Sequence, residues 1–152
     1  MSIRRLKRED VPALSAALAR LPLMQRYRRD ASRIEADLAA ALQRGDGLLV
    51  EEGEAGPRGV AWFLAAGTLA MGGYLRLIAV VPEGTGSGAG ARLLQAFEAE
   101  VSRESRHAFL LVSDFNQGAQ RFYQRHGYAR VGALPGLVLP DVAEILYWKR
   151  LG

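Results

Sequence analysis

The segment that most constrains the fold of this chain is residues 75–94, which read LRLIAVVPEGTGSGAGARLL. A β-branched, apolar run ends at Pro82, and four glycines follow at alternate positions before an amphipathic run begins. This order predicts a strand, a glycine loop (residues 82–90) and a helix. Backbone N–H groups in such a loop have no Cβ in front of them and lie at the positive end of the helix dipole. The segment is therefore expected to hold a phosphate or pyrophosphate group.

Length and composition narrow the class of protein. The 152 residues suit a single domain, residues 1–152, and the net charge of +4 comes from scattered arginines, so nucleic acid is not an expected partner. The absence of cysteine excludes disulfides, a thiolate nucleophile and cysteine-based metal sites, and no metal is expected. The longest uncharged run has 17 residues and contains four glycines, which is too short for a membrane span of ~20 residues. These features predict a cytoplasmic protein without membrane contact.

Periodicity and capping signals predict the elements of the first third of the chain. Residues 2–6 alternate weakly and suit an edge strand. A first helix is expected to be capped by Asp10 and to stop at Pro22. A second helix begins with a capping-box pattern at Ser32 and closes at Gly45.

The remainder of the chain alternates between strand and helix patterns. Runs at residues 47–52 and 59–64 flank the turn signal Gly56-Pro57, which favours an antiparallel hairpin. A third strand, near residues 73–81, leads into the glycine loop. The later elements are a helix with an apolar face at Leu93, Leu94, Phe97 and Val101, a strand at 108–113, a helix from Asn116 to Gly127, and strands at 128–131 and 144–150. The order β-α-α-β-β-β-α-β-α-β-β defines a mixed α/β chain.

Two motifs in this order resemble those of the GNAT superfamily, the acyl-CoA-dependent N-acyltransferases. The first has the pattern V-x-P-x-x-(R/Q)-G-x-G-x-G, which is matched by Val80, Pro82, Gly86, Gly88 and Gly90. Thr85 stands at the Arg/Gln position, so the backbone N–H groups are expected to carry more of the pyrophosphate binding. The second has the pattern N-x-x-A-x-x-F-Y-x-x-x-G-(F/Y). It is matched in full by Asn116, Ala119, Phe122, Tyr123, Gly127 and Tyr128.

The resemblance implies a fold and a donor substrate. The fold is the mixed α/β GNAT fold, with a mostly antiparallel sheet of six to seven strands, a splayed strand pair and about four flanking helices. The co-substrate is acetyl-CoA. By analogy, the backbone of Ile78 and Val80 contacts the acyl-pantetheine arm, Asn116 contacts the pantetheine or phosphate region, and Tyr123 approaches the sulfur. The pyrophosphate is expected on Thr85, Gly86, Ser87, Gly88, Ala89, Gly90 and Ala91.

The resemblance also implies a reaction, the direct transfer of an acetyl group to an amine. The Ile78 N–H would polarise the thioester carbonyl, and the Tyr123 hydroxyl would act as general acid for the departing thiolate. The general base stays open among four carboxylates, which are Glu51, Glu52, Asp114 and Glu144.

The acceptor is expected to be a small-molecule or peptide amine. Its specificity is expected to depend on residues 22–29 and 133–143, which show the least pattern. The basic cluster at residues 26–29 suits either an acidic group on the acceptor or a solvated turn. A homodimer is a further expectation, because the family forms dimers.

Two other functions fit parts of the sequence. GSGAGA also matches a loose dinucleotide or S-adenosylmethionine fingerprint, but no acidic residue ends the next strand and the loop lies in mid-chain. A protein of the same fold that binds acyl-CoA as a sensor, without catalysis, is the second alternative. Thr85 and the lack of an evident base favour the sensor, whereas Tyr123 favours the enzyme.

Overall fold

The computed structural model describes residues 2–152. Within these residues it contains seven strands: β1 (Ile3–Arg5), β2 (Gly47–Gly53), β3 (Gly56–Thr68), β4 (Gly72–Val80), β5 (His107–Ser113), β6 (Ala129–Pro135) and β7 (Ala143–Arg150). It contains five α-helices: α1 (Val11–Leu18), α2 (Pro22–Arg26), α3 (Ala31–Arg44), α4 (Ala89–Val101) and α5 (Gln117–Arg125). None of these helices combines the length and the apolarity needed to cross a membrane.

The strands form one mixed sheet in the order β1-β2-β3-β4-β5-β7-β6. The pairs β1–β2, β2–β3, β5–β7 and β6–β7 are antiparallel, and β4 runs parallel to β5. The predicted α/β fold with a mostly antiparallel sheet is confirmed. The dinucleotide-binding alternative does not fit, because it requires a doubly wound parallel sheet.

The parallel pairing of β4 with β5 is short. Among the described residues it comprises three pairs, from Gly73 with Ala108 to Leu75 with Leu110. β5 continues for three further residues to Ser113, and it pairs with β7 along its whole length. A short register of this kind is what a splayed strand pair requires.

The backbone divides into two compact units, of which the first comprises residues 2–63 and 77–99. In this unit α1 packs against α3. Because residues three and four apart share one face of a helix, α3 buries Ile34, Leu38 and Ala41 together. Four consecutive residues of β2, residues 48–51, are buried, so both faces of that strand are covered. On α4 the ring of Phe97 meets that of Phe63 edge to face at 5.2 Å.

The second unit comprises residues 64–76 and 100–152. Alternate residues of β5 are buried, which are Ala108, Leu110 and Val112. Ile145 and Tyr147 follow the same alternation on β7, opposite Val112 and Leu110. This period of two defines one apolar face of the sheet.

Three local predictions were wrong. Pro22 begins a helix instead of stopping one, because its fixed φ and missing N–H are tolerated in a first helical turn. The cap of α3 is Asp30, two residues before the predicted cap Ser32, and its Oδ1 accepts a hydrogen bond from the Arg33 N–H at 2.9 Å. Gly56 pairs with Gly53 within the β2–β3 ladder, so the turn lies at residues 54–55 instead of Gly56-Pro57.

Close packing at Gly73 gives a test of the second unit. A Cβ at this position would lie 2.3 Å from Val101 Cγ2, which is far inside van der Waals contact. We expect Gly73→Ala to lower the free energy of unfolding by about 1–3 kcal/mol, the usual cost of overpacking a core. Gly132→Ala is the matched control, because nothing lies within 4 Å of its Cβ position. Urea denaturation of both variants measures the difference, and equal stabilities would contradict the packing described.

Candidate functional site

The glycine loop owes its shape to two residues with positive φ. β4 ends at Val80, and a 3₁₀ turn over Pro82–Gly84 follows. Gly86 and Gly88 then adopt φ values of +80° and +82°, a left-handed conformation that side chains disfavour. α4 begins within the loop, at Ala89. The predicted strand, loop and helix are therefore present.

The loop leaves several backbone donors unused. Thr85 N–H donates to Pro82 O and Ser87 N–H donates to Gly84 O, so these donors serve the loop itself. Among residues 2–152, no acceptor is found for four other N–H groups, those of Gly86, Gly88, Gly90 and Ala91. Because unpaired donors at a helix N-terminus attract anions, these groups form a cradle that suits a phosphate.

The other loop and strand residues predicted for acyl-CoA lie in the same first unit. Thr85 is exposed, Ser87 is half-buried, and the Ser87 hydroxyl donates to Gly84 O at 2.6 Å. Ile78 and Val80 are half-buried near the end of β4. The structure thus brings the predicted pyrophosphate residues together at one turn of the chain.

A buried ion cluster lies next to this loop, and its two arginines were missed in the sequence. Glu51 on β2 is fully buried, and its Oε1 accepts from Arg92 Nε. Its Oε2 accepts from Arg92 Nη2 at 3.1 Å and from Arg58 Nε at 2.9 Å. The one sequence feature that could have indicated this cluster was Glu51 itself, a charged residue that directly follows the apolar residues 48–50.

This cluster removes Glu51 from the candidates for general base. The hydrogen bond from Arg92 and then that from Arg58 hold the pKa of Glu51 below its ordinary value, although burial opposes the shift. A carboxylate with both oxygens bonded to guanidinium groups is a poor proton acceptor.

The other three carboxylates lie elsewhere. Glu52 bonds to Arg4, and the exposed Asp114 accepts the Ala143 N–H at 3.0 Å. Glu144 is buried on β7, opposite Ser113. These three stay candidates for the base.

Asn116 and Tyr123 lie in the second unit, at the start and in the second turn of α5. Asn116 is the N-cap, and its Oδ1 accepts from the Ala119 N–H at 3.1 Å. The predicted cap is confirmed, and it gives the first and fourth residues of the motif a structural role.

Tyr123 is held by the aromatic residues of its own motif. Its ring meets that of Phe122 at 5.1 Å and that of Tyr128 at 5.7 Å, both edge to face. The side chain is buried, and burial raises its pKa above the ordinary 10.0. Within residues 2–152 its hydroxyl has no hydrogen-bond partner, yet it is not one of the enclosed polar atoms. This hydroxyl is therefore free to donate a hydrogen bond.

The basic cluster at residues 26–29 and the two histidines complete the description of the polar groups. In the basic cluster, Arg29 bonds to Asp37, and Arg28 is exposed with a φ of 55°. His126 Nδ1 lies 2.8 Å from Phe122 O, and His107 bonds to Trp148. In the part of the chain that the structure describes, no three or more His, Cys, Asp or Glu side chains are grouped as metal ligands.

Comparison with known proteins identifies the class. A family model described as an acetyltransferase (GNAT) domain matches residues 44–130, more than half of the chain. The chain belongs to the GNAT acetyltransferase family. Comparison with curated proteins gives no match.

Solved structures agree with this assignment of fold. Ard1 from Thermoplasma volcanium has a TM-score of 0.80 at 18% identity, over 99% of this chain and 97% of that one. A ribosomal-protein-alanine N-acetyltransferase from Brucella melitensis has a TM-score of 0.78 at 18% identity, covering 99% and 100%. An aminoglycoside 6′-N-acetyltransferase complexed with coenzyme A has a TM-score of 0.77 at 19% identity, covering 99% and 97%. The fold implied by the two motifs is thereby confirmed.

The capping role of Asn116 gives a test of the second unit. Asn116→Ala removes the acceptor for the Ala119 N–H, and we expect it to lower the free energy of unfolding by about 0.5–2 kcal/mol. Asn116→Asp keeps the acceptor and is expected to stay near wild-type stability. Thermal or urea unfolding of the two variants measures this, and an Asp variant as unstable as the Ala variant would contradict the capping assignment.

Proposed function

We propose that this protein transfers an acetyl group from acetyl-CoA to an amine. The observation that carries the proposal is the set of four unused backbone N–H groups on Gly86, Gly88, Gly90 and Ala91. They occur in the motif that members of this family use for the pyrophosphate of their co-substrate. The coenzyme A complex of the aminoglycoside 6′-N-acetyltransferase, which shares the fold, supports the choice of donor.

The reaction proceeds by direct attack of the amine on the thioester, in a complex with both substrates. The amine nitrogen bonds to the carbonyl carbon and loses a proton, the C–S bond breaks, and the sulfur gains a proton, so the products are an amide and free CoA. The Ile78 N–H stabilises the negative charge that develops on the carbonyl oxygen. One oxyanion-hole donor of this kind is worth roughly 2.7–4 kcal/mol. Holding the two substrates together supplies much of the remaining acceleration.

Tyr123 protonates the departing thiolate. A thiol has a pKa of about 8.5 and a tyrosine one of about 10, so full proton transfer from Tyr123 is uphill even to the released thiolate. Burial raises the pKa of Tyr123 further, which keeps the hydroxyl protonated across the neutral range. Its role is therefore to donate a hydrogen bond to the sulfur as the bond breaks, and formation of the amide drives the overall proton transfer to the thiolate.

The acceptor is a small-molecule or peptide amine. Residues 22–29 and 133–143 carry its recognition in this proposal. In the structure the first of these segments contains α2, whose Met24 side chain is buried. Most side chains of the second segment are exposed, and among them are the large apolar residues Leu134, Leu137 and Val138. Exposed apolar side chains of this kind suit an acceptor that has a hydrophobic part.

A binding and turnover experiment tests the function. Wild-type protein is expected to gain thermal stability with acetyl-CoA and with CoA, and to gain none with NAD or S-adenosylmethionine. Incubation with acetyl-CoA and a broad panel of amines should then release free thiol with at least one acceptor. Binding without thiol release on any acceptor would favour a sensor over an enzyme. Stabilisation by NAD or S-adenosylmethionine alone would contradict the proposal.

Loss of the Tyr123 hydroxyl tests the assignment of the acid. Tyr123→Phe is expected to lower kcat by about 10²–10⁴-fold with little change in the Kd for acetyl-CoA. Because burial raises its pKa above the ordinary 10.0, ionisation of Tyr123 should cause little loss of wild-type turnover below about pH 9. The matched control is Tyr147→Phe, since the Tyr147 hydroxyl is buried without a partner among the described residues. Equal turnover in the Tyr123 variant and the control would remove Tyr123 from the acid role.

A further inference from the structure

The cluster of Glu51, Arg58 and Arg92 joins three elements of the first unit. The carboxylate comes from β2, one guanidinium from β3 and the other from α4. Arg92 meets the carboxylate with two nitrogens, Nε to Oε1 and Nη2 to Oε2. A forked contact of this kind fixes the orientation of the guanidinium as well as its position. Arg92 is therefore anchored on the side of the strand.

The same guanidinium also holds the glycine loop. Arg92 Nη2 donates to the Ser87 carbonyl oxygen at 3.0 Å. Its Nη1 lies 2.8 Å from the position that a Cβ of Gly88 would occupy, so the side chain lies directly against that residue. One arginine thus connects a buried carboxylate to the Ser87–Gly88 peptide.

The direction of this peptide follows from its covalent geometry. In a planar trans peptide, the carbonyl of one residue and the N–H of the next point in opposite directions. Because the Ser87 carbonyl is turned towards Arg92, the Gly88 N–H is turned away from it. The Gly88 N–H is one of the four donors for which the described residues offer no acceptor. Arg92 therefore decides where a donor of the anion cradle points.

The net charge of the cluster also favours an anion at the glycine loop. One carboxylate and two guanidinium groups leave an excess of one positive charge. Arg58 Nη2 is buried and has no hydrogen-bond partner in residues 2–152, as expected where donors outnumber acceptors. The excess positive charge lies beside a loop whose Thr85 has only a short hydroxyl side chain.

We propose that Arg92, held by Glu51, is a positioning residue that presents the Gly88 N–H to the pyrophosphate of acyl-CoA. This inference rests on the proposed function and deepens it. Through its contact with the Ser87 carbonyl, Arg92 compensates for the long polar side chain that Thr85 does not provide. Glu51 serves as the anchor of Arg92 and takes no part in proton transfer.

Calorimetric titration with acetyl-CoA tests the role of Arg92. Arg92→Gln is expected to weaken binding about ten- to a hundredfold, the loss that one charge-assisted hydrogen bond carries. Arg92→Lys keeps the charge but lacks the fork that reaches both Glu51 and Ser87, so it should remain about tenfold weaker than wild type. Arg103→Gln removes an exposed arginine and should bind like wild type. Full binding by the Lys variant would overturn the positioning role.

A measurement on the wild-type protein keeps the inference testable if a variant does not fold. On addition of acetyl-CoA, the Gly88 amide resonance should shift more than that of Ser87, whose N–H already donates to Gly84 O. An unshifted Gly88 amide at saturation would overturn this inference and leave acyl-CoA binding intact. Failure of the wild-type protein to bind acetyl-CoA would overturn the proposed function itself.

Discussion

The fully buried carboxylate of Glu51 is the constraint on which the first unit depends. An ionised carboxylate in a protein interior costs several kcal/mol unless partners compensate it. Here the partners are Arg58 and Arg92, which bond both of its oxygens. Removing one member of such a buried group typically costs about 3–5 kcal/mol. The buried carboxylate of Glu51 thus connects α4 and, through Arg92, the glycine loop to the sheet.

The glycine loop shows how backbone geometry can substitute for side chains. Positive φ at Gly86 and Gly88 changes the direction of successive peptide groups in the loop. Some N–H groups therefore bond within the loop and others do not. The donors that remain unused lie at the N-terminus of α4, where the helix dipole also favours an anion. The proposed pyrophosphate binding therefore relies on backbone N–H groups, as expected where Thr85 stands in place of a long polar side chain.

The second motif combines a structural and a chemical role in one helix. Asn116 caps α5, and Phe122 and Tyr128 pack against the ring of Tyr123. The packing that stabilises the helix also removes water from around this ring, and the loss of water is what raises its pKa. Under the proposed function, the same aromatic packing keeps the Tyr123 hydroxyl protonated at neutral pH.

Local sequence signals were sufficient to predict the strand, glycine loop and helix of residues 75–94, the cap at Asn116 and the order of most elements. These features depend on local periodicity and on capping residues close in sequence. The helix that starts at Pro22 and the turn at residues 54–55 were missed, because neighbouring packing and strand register decide between equivalent local signals. Only the tertiary structure showed that Glu51 anchors Arg92 and is no base. The two residues are 41 positions apart, and no local pattern can report a contact that folding alone creates.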